Sequence, residues 1–234
     1  MFLNEYTGRG VCIAVVDSGV HAGHPHVGGV EQGVGIRDDG ELDEDFVDRL
    51  GHGTAVTAAI REKAPEAGII AVKVFWRSLS TNVGSLVRGI DEGRVRGASV
   101  INLSLGTSNI AHRSLLQEAV QRATANHVLI VGAIESDIEW MPGSLDGVIP
   151  VMLDWRCPRD EYRIVAHNGR TAIAASGYPR EIPNVPPERN LKGISFAVAN
   201  ASGFIARARQ TTQSNQTSDI WRILEKGKSI ATTA

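Results

Sequence analysis

The run Val11-Cys12-Ile13-Ala14-Val15-Val16 constrains this chain more than any other stretch. Six apolar residues without a polar break leave no face for water, which is the pattern of a strand buried on both sides. The run stops at Asp17-Ser18-Gly19, so the buried strand delivers a carboxylate at its C-terminal end and the chain then turns at a glycine. Four further apolar runs, at 69–75, 98–105, 127–133 and 148–153, repeat the strand pattern. Helical patterns lie between them. Residues 54–63 form a small, apolar helix that ends before Pro65. Residues 85–96 place Leu86, Val87, Ile90 and Val95 at helical spacing, and residues 114–126 do the same with Leu115, Leu116, Ala119, Val120 and Ala123. Strands and helices in alternation predict an α/β fold with a mainly parallel, doubly wound central sheet in an αβα sandwich.

The rest of the chain is read around that core. Residues 154–163 are a polar hairpin or loop, and residues 178–190 are proline-rich and predicted to be loop. Residues 211–218 are a polar linker before a last short helix at 219–226, which packs Ile220, Trp221, Ile223 and Leu224. With 234 residues and no internal repeat, the expectation is a single domain with its core over about 6–209. Charged residues make up 21% and the net charge is −2, which argues against a nucleic-acid or anionic-membrane partner. No apolar run reaches the length of a membrane span. The N-terminus Met-Phe-Leu-Asn-Glu-Tyr lacks the basic segment and apolar core of a signal peptide, so a cytoplasmic location is expected. Cys12 and Cys157 make no disulfide framework, and Cys12 reads as a small buried hydrophobe.

Two later stretches carry chemistry. In Leu50-Gly51-His52-Gly53-Thr54 a histidine sits between glycines and enters the apolar helix. In Gly193-Ile194-Ser195-Phe196-Ala197 a serine opens a helix of small residues that runs to about Arg209. Unpaired N–H groups at a helix N-terminus can hold a developing oxyanion, although a serine there also serves as a plain N-cap. Asp, His and Ser in that order form one of the chain orders known for a serine triad.

Those three signatures together resemble the subtilisin-like serine proteases, the subtilases. Tyr6-Thr7-Gly8-Arg9-Gly10-Val11, Ala71-Val72-Lys73-Val74 and Val100-Ile101-Asn102-Leu103-Ser104-Leu105-Gly106 resemble further family strands, so the likeness covers about 6–209. It implies a serine endopeptidase with Ser195 as nucleophile, His52 as proton shuttle and Asp17 as the group that orients the imidazole. It implies a peptide or protein substrate added as a strand along Ser104, Leu105 and Gly106. It places Gly132 and Ala133 beside the first specificity pocket, with Glu135 near its base. A carboxylate there would favour a basic residue before the scissile bond, and a solvated loop glutamate is the alternative. No cofactor and no metal are implied. The segment 52–71 is too short for the calcium loop of secreted relatives. Relatives in the family usually carry a propeptide; this chain begins almost directly at the core, and the expectation is that it either dispenses with one or has lost it.

One departure bears on catalysis. The family's oxyanion asparagine aligns with Ile134, which has no donor. The Ser195 backbone N–H remains, and Asn168 is a nearby amide that would replace the missing one. Milder departures are Ile194, Phe196 and Ala199, each apolar or small where the family has threonine, methionine and proline. Two function classes therefore stand side by side. One is a protease that matures a specific peptide or protein, with transpeptidation as a variant and a partner subunit compatible with it. The other is a protease-like binding or regulatory protein. Two other features carry side chains of metal-binding type. His21, His24 and His26 lie close together in a Gly/Pro-rich loop, and within the turn-rich stretch 31–49 residues 38–48 carry seven carboxylates. Both read better as solvated loops than as ligand sets, because no fourth histidine-site ligand and no regular oxygen spacing is present.

Overall fold

The computed structural model describes residues 2–186, 189–212 and 216–227. Part of the predicted linker at 211–218 and the tail beyond 227 lie outside these. Among the described residues, nine strands form a single sheet: β1 (Cys12–Asp17), β2 (Gln32–Ile36), β3 (Leu42–Asp43), β4 (Gly68–Lys73), β5 (Val100–Leu103), β6 (Leu129–Ala133), β7 (Val148–Leu153), β8 (Tyr162–His167) and β9 (Arg170–Ala175). Their spatial order is β3-β2-β4-β1-β5-β6-β7-β9-β8. Pairing is parallel from β2 through β9, and only the edge strands β3 and β8 run antiparallel. The helices are α1 (His52–Lys63), α2 (Val83–Val95), α3 (Arg113–Ala125), α4 (Ile194–Gln210) and α5 (Thr217–Gly227).

Strand alternation explains the three layers. In β1, Ile13 and Val15 point to one face and pack with Val56 and Ile60 of α1, Phe204 of α4 and Leu224 of α5. Ala14 and Val16 point to the other face and pack with Leu86 and Ile90 of α2 and Leu116 and Val120 of α3. Because both faces of β1 are covered, its run shows no polar alternation.

The stretch 31–49, expected as a solvated loop, contains β2 and β3. Glycines hid the strand. Gly33 lies flat against the Phe46 ring, where an added Cβ would come within 2.2 Å of ring carbons, and Gly35 packs on the Trp76 ring. Only Val34 and Ile36 remain as apolar signals, too few to show a period of two. The polar stretch 154–163 and the segment after it contain β8, whose Tyr162 is fully buried and donates to the Leu224 carbonyl at 2.7 Å. Burial pushes the Tyr162 phenol above its usual range. Cys12 is half-buried and Cys157 buried, both as free thiols, and burial pushes the Cys157 thiol up to about 11.

Candidate functional site

The C-terminal ends of parallel strands collect ligands in open α/β sheets, because the loops that leave them face one edge. Asp17 ends β1, Ser104 follows β5 and Ala133 ends β6, all on that edge. Asp17 is fully buried, and its Oδ1 lies 2.7 Å from Nδ1 of His52, the first residue of α1. The approach needs Gly53: a Cβ there would lie 2.2 Å from the Gly19 carbonyl oxygen. The Ser18 N–H donates to the same Asp17 Oδ1 at 2.7 Å. With Nδ1 turned to the carboxylate, Nε2 is the free ring nitrogen. Burial pulls the His52 pKa down, but the hydrogen bond and charge of Asp17, with the charge of Asp48, outweigh it and hold the imidazole above its ordinary value.

Asp48 is the residue that sequence reasoning missed. It was counted among the solvated carboxylates of 31–49, yet only 8% of its surface is exposed. Its Oδ1 accepts from Ser18 Oγ, Leu50 N and Gly51 N, each at 2.9 Å. Its Oδ2 accepts from Thr54 N at 2.9 Å and Thr54 Oγ1 at 2.6 Å. Gly51, at the N-cap of α1 with φ 84°, has no side chain to cap the helix, so Asp48 takes the free N–H of Thr54 in the first turn from outside. Ser18 Oγ also accepts from Gly53 N at 2.9 Å. The carboxylate thus clamps the end of β1 to the start of α1, the two elements that carry Asp17 and His52. Despite the cost of burial, these donors hold the Asp48 pKa below its usual value. An aspartate whose side chain can bond N–H groups two and three residues ahead is the sequence signal for this role.

Ser195 is the second residue of α4, in the turn whose N–H groups have no intrahelical acceptor. Gly193 before it has φ 145° and donates its N–H to the Gly177 carbonyl at 2.9 Å. A chain of side-chain bonds ties α4 to β5. Ser202 Oγ donates to Asn102 Oδ1 at 3.0 Å, Asn102 Nδ2 to Ser104 Oγ at 2.9 Å, and Ser104 Oγ to the Ser195 carbonyl at 3.2 Å. The Ser195 hydroxyl itself donates to the Ser104 carbonyl at 3.3 Å, and no hydrogen bond joins it to His52 among the described residues. Hydrogen bonds of this kind are often loose before substrate binds. His52 and Ser195 open onto the same cleft of about 590 Å³, which Ser104, Leu105, Gly106 and Trp140 also line.

Other expected residues are placed differently. Gly132 and Ala133 are not among the residues lining this cleft. Gly143 lies against both, so close that a Cβ on it would fall 1.8 Å from the Ala133 carbonyl oxygen. Trp140 occupies the space beside Gly106, where an added Cβ would meet its Nε1 at 2.4 Å. Glu135 lines a separate cavity of about 360 Å³, together with Ile134 and Asn168. Ile134 is buried, and its N–H continues the sheet pairing to the Val151 carbonyl at 2.9 Å. Asn168 sits at the β8–β9 turn with φ 48°, and its amide lies 3.1 Å from Nε2 of His167. Among the described residues, no group of three or more His, Cys, Asp or Glu side chains is arranged to hold a metal. No helix among them is long and apolar enough to cross a membrane.

Comparison with known proteins agrees with this architecture. Residues 8–138, more than half of the chain, match the model of the subtilase family, peptidase S8. The match includes Asp17 and His52 and ends before Ser195. The chain is 33% identical over 141 residues to an intracellular serine protease of Paenibacillus polymyxa, covering 56% of this chain and 43% of that protein. It is 33% identical over 144 residues to the minor extracellular protease Epr of Bacillus subtilis, covering 56% of this chain and 21% of that protein. It is 34% identical over 139 residues to subtilisin Savinase of Lederbergia lenta, covering 54% of this chain and 48% of that protein. The aligned region spans less than half the length of each of these relatives. With its order of strands, its helices on both faces and its matched segment, this chain belongs to the subtilase family.

Proposed function

We propose that this chain is a serine endopeptidase that cleaves peptide bonds with Asp17, His52 and Ser195. The observation that carries the reading is the 2.7 Å contact between His52 Nδ1 and buried Asp17, opening onto the cleft that Ser195 shares. Ser195 Oγ attacks the scissile carbonyl carbon. His52 Nε2 takes the hydroxyl proton and returns it to the leaving amine, while Asp17 stabilises the imidazolium. Water then releases the acyl group, or a second amine does so in transpeptidation. The Ser195 N–H, in the first turn of α4, is the donor for the oxyanion.

The substrate in this reading is a specific peptide or protein segment laid along Ser104–Gly106. Thr107 already exchanges both backbone hydrogen bonds with Met141, at 2.8 and 2.9 Å, so the free edge ends at Gly106. A short edge captures few residues by strand addition and suits a narrow task better than bulk degradation. The companion proposal of a cytoplasmic setting is supported by the likeness to an intracellular serine protease, and fractionation of the native host checks it.

A second reading, a protease-like binding protein, is favoured by one observation: buried Ile134 supplies no oxyanion donor. Intact-protein mass spectrometry after fluorophosphonate treatment separates the two. A single adduct on the parent, absent from Ser195→Ala, is the expected result. Folded parent protein that takes no adduct overturns the protease reading.

A further inference from the structure

A second cavity, larger than the cleft at Ser195, lies between the loop after β1 and the loop that leads into α4. Its volume is about 710 Å³. His21, His24 and His26 line one side, and Arg180 and Arg189 the other. The guanidinium groups of Arg180 and Arg189 make no ion pair among the described residues. Asp48 is the one carboxylate among the described lining residues, and its two oxygens already accept from five donors. Two guanidinium groups against one carboxylate leave the lining with an excess of positive charge in a chain whose net charge is −2. The field is felt inside the groove: after burial, the charges of Arg180 and His24 push the His26 pKa below its usual value, against a weaker pull from Glu62.

The same groove is apolar at its rim. Ile182, Val185 and Leu191 line it and are exposed, three large apolar side chains within ten residues of a loop. Arginines that make no ion pair among the described residues, beside exposed aliphatic side chains, complement a ligand that carries both carboxylates and apolar groups. A phosphate backbone matches the arginines alone, whereas an acidic peptide matches both.

We propose that this groove is a docking site for an acidic, leucine-like peptide segment, distinct from the cleft at Ser195. That the segment belongs to the substrate rests on the protease reading above; the binding itself does not. The groove is bounded by the segments that lead into His52 and Ser195, so a segment held there would raise the local concentration of its own scissile bond at the cleft.

The test uses the full chain as Ser195→Ala, so that no peptide is consumed. Fluorescence anisotropy follows a labelled octapeptide of alternating glutamate and leucine, the lysine–leucine version, and a single-stranded octanucleotide. The expected result is at least tenfold tighter binding of the glutamate peptide, weakened by salt, with the preference abolished in R180E/R189E. Equal binding of the two peptides, tighter binding of the oligonucleotide, or a preference that survives the charge reversal overturns the proposal. Binding in the cleft at Ser195 would survive it. R180Q and R189Q, each expected to weaken binding severalfold, serve if the double reversal does not fold. Fluorophosphonate labelling of the same variants on the Ser195 background tests the protease reading separately.

Discussion

The two halves of the candidate site are built to different standards. On the Asp17–His52 side the polar positions are densely bonded, with buried Asp17 Oδ2 the one that no hydrogen bond reaches among the described residues. Asp17 is bonded by Ser18 N and His52, and Asp48 gathers five donors from Ser18 just after β1, from Leu50 and Gly51 just before α1, and from Thr54 within α1. On the side that would receive the oxyanion, the Ser195 hydroxyl turns to a backbone carbonyl, Ile134 offers no donor, and Asn168 faces a different cavity. In the protease reading, orientation of the base is over-determined, while charge stabilisation would rest on the N-terminus of α4. The difference teaches where mutation should hurt. A densely bonded network of buried groups loses more from one deletion than a sparse region does.

The largest effect is expected at the centre of the dense half. Asp17→Asn keeps the shape but presents an amide to His52 Nδ1. The imidazole then loses both its tautomer and its counter-charge. The rate of fluorophosphonate labelling should fall by about 10⁴-fold with the thermal midpoint little changed. A labelling rate within tenfold of the parent would break the comparison, because Asp17 would then be only a packed carboxylate.

Asp48→Asn is expected to have an intermediate effect of a different kind. An amide cannot accept five hydrogen bonds, so the start of α1 loosens and labelling slows by about ten- to a hundredfold, with some loss of thermal stability. The sharper readout is the pH profile. Asp48 helps to raise the His52 pKa, so removing its charge lowers that pKa. The base must be neutral to act, and reactivity is lost as pH falls through its pKa. The acid limb of the profile therefore moves to lower pH in Asp48→Asn. Slowed labelling with an unmoved acid limb would make Asp48 a structural cap alone.

Asp48 also marks the boundary of what was legible from residues alone. The apolar run of β1 announced the sheet, the flanking glycines singled out His52, and the order of the three signatures suggested the site. Those features are local, and periodicity or steric permissiveness expresses them directly. Asp48 looked like its six acidic neighbours because burial is a tertiary property; the fold alone separates it from Asp38 or Asp39. The strand β2 was missed for a related reason, since Gly33 and Gly35 owe their identity to Phe46 and Trp76, residues distant in the chain. Glu135 and the Gly132–Ala133 pair were placed by likeness to the family, and the path of the segment around Trp140 and Gly143 puts other residues against the cleft.

The smallest effect, and the only gain, is expected in the sparse half. Ile134→Asn introduces an amide at the end of β6, where the backbone N–H is already committed to Val151. An optimally aimed donor contributes about 10²–10³ in turnover, but a buried aliphatic site has no partners to orient the new amide. A gain of a few-fold to about tenfold in labelling rate is therefore expected, together with a loss of stability from burying a partly satisfied polar group. A gain of that size would show that the α4 N-terminus is an underbuilt oxyanion site. No gain in a folded variant would show that Ile134 faces away from the reacting carbonyl, as its shared cavity with Asn168 and Glu135 suggests. The backbone N–H groups of α4 would then carry the oxyanion alone.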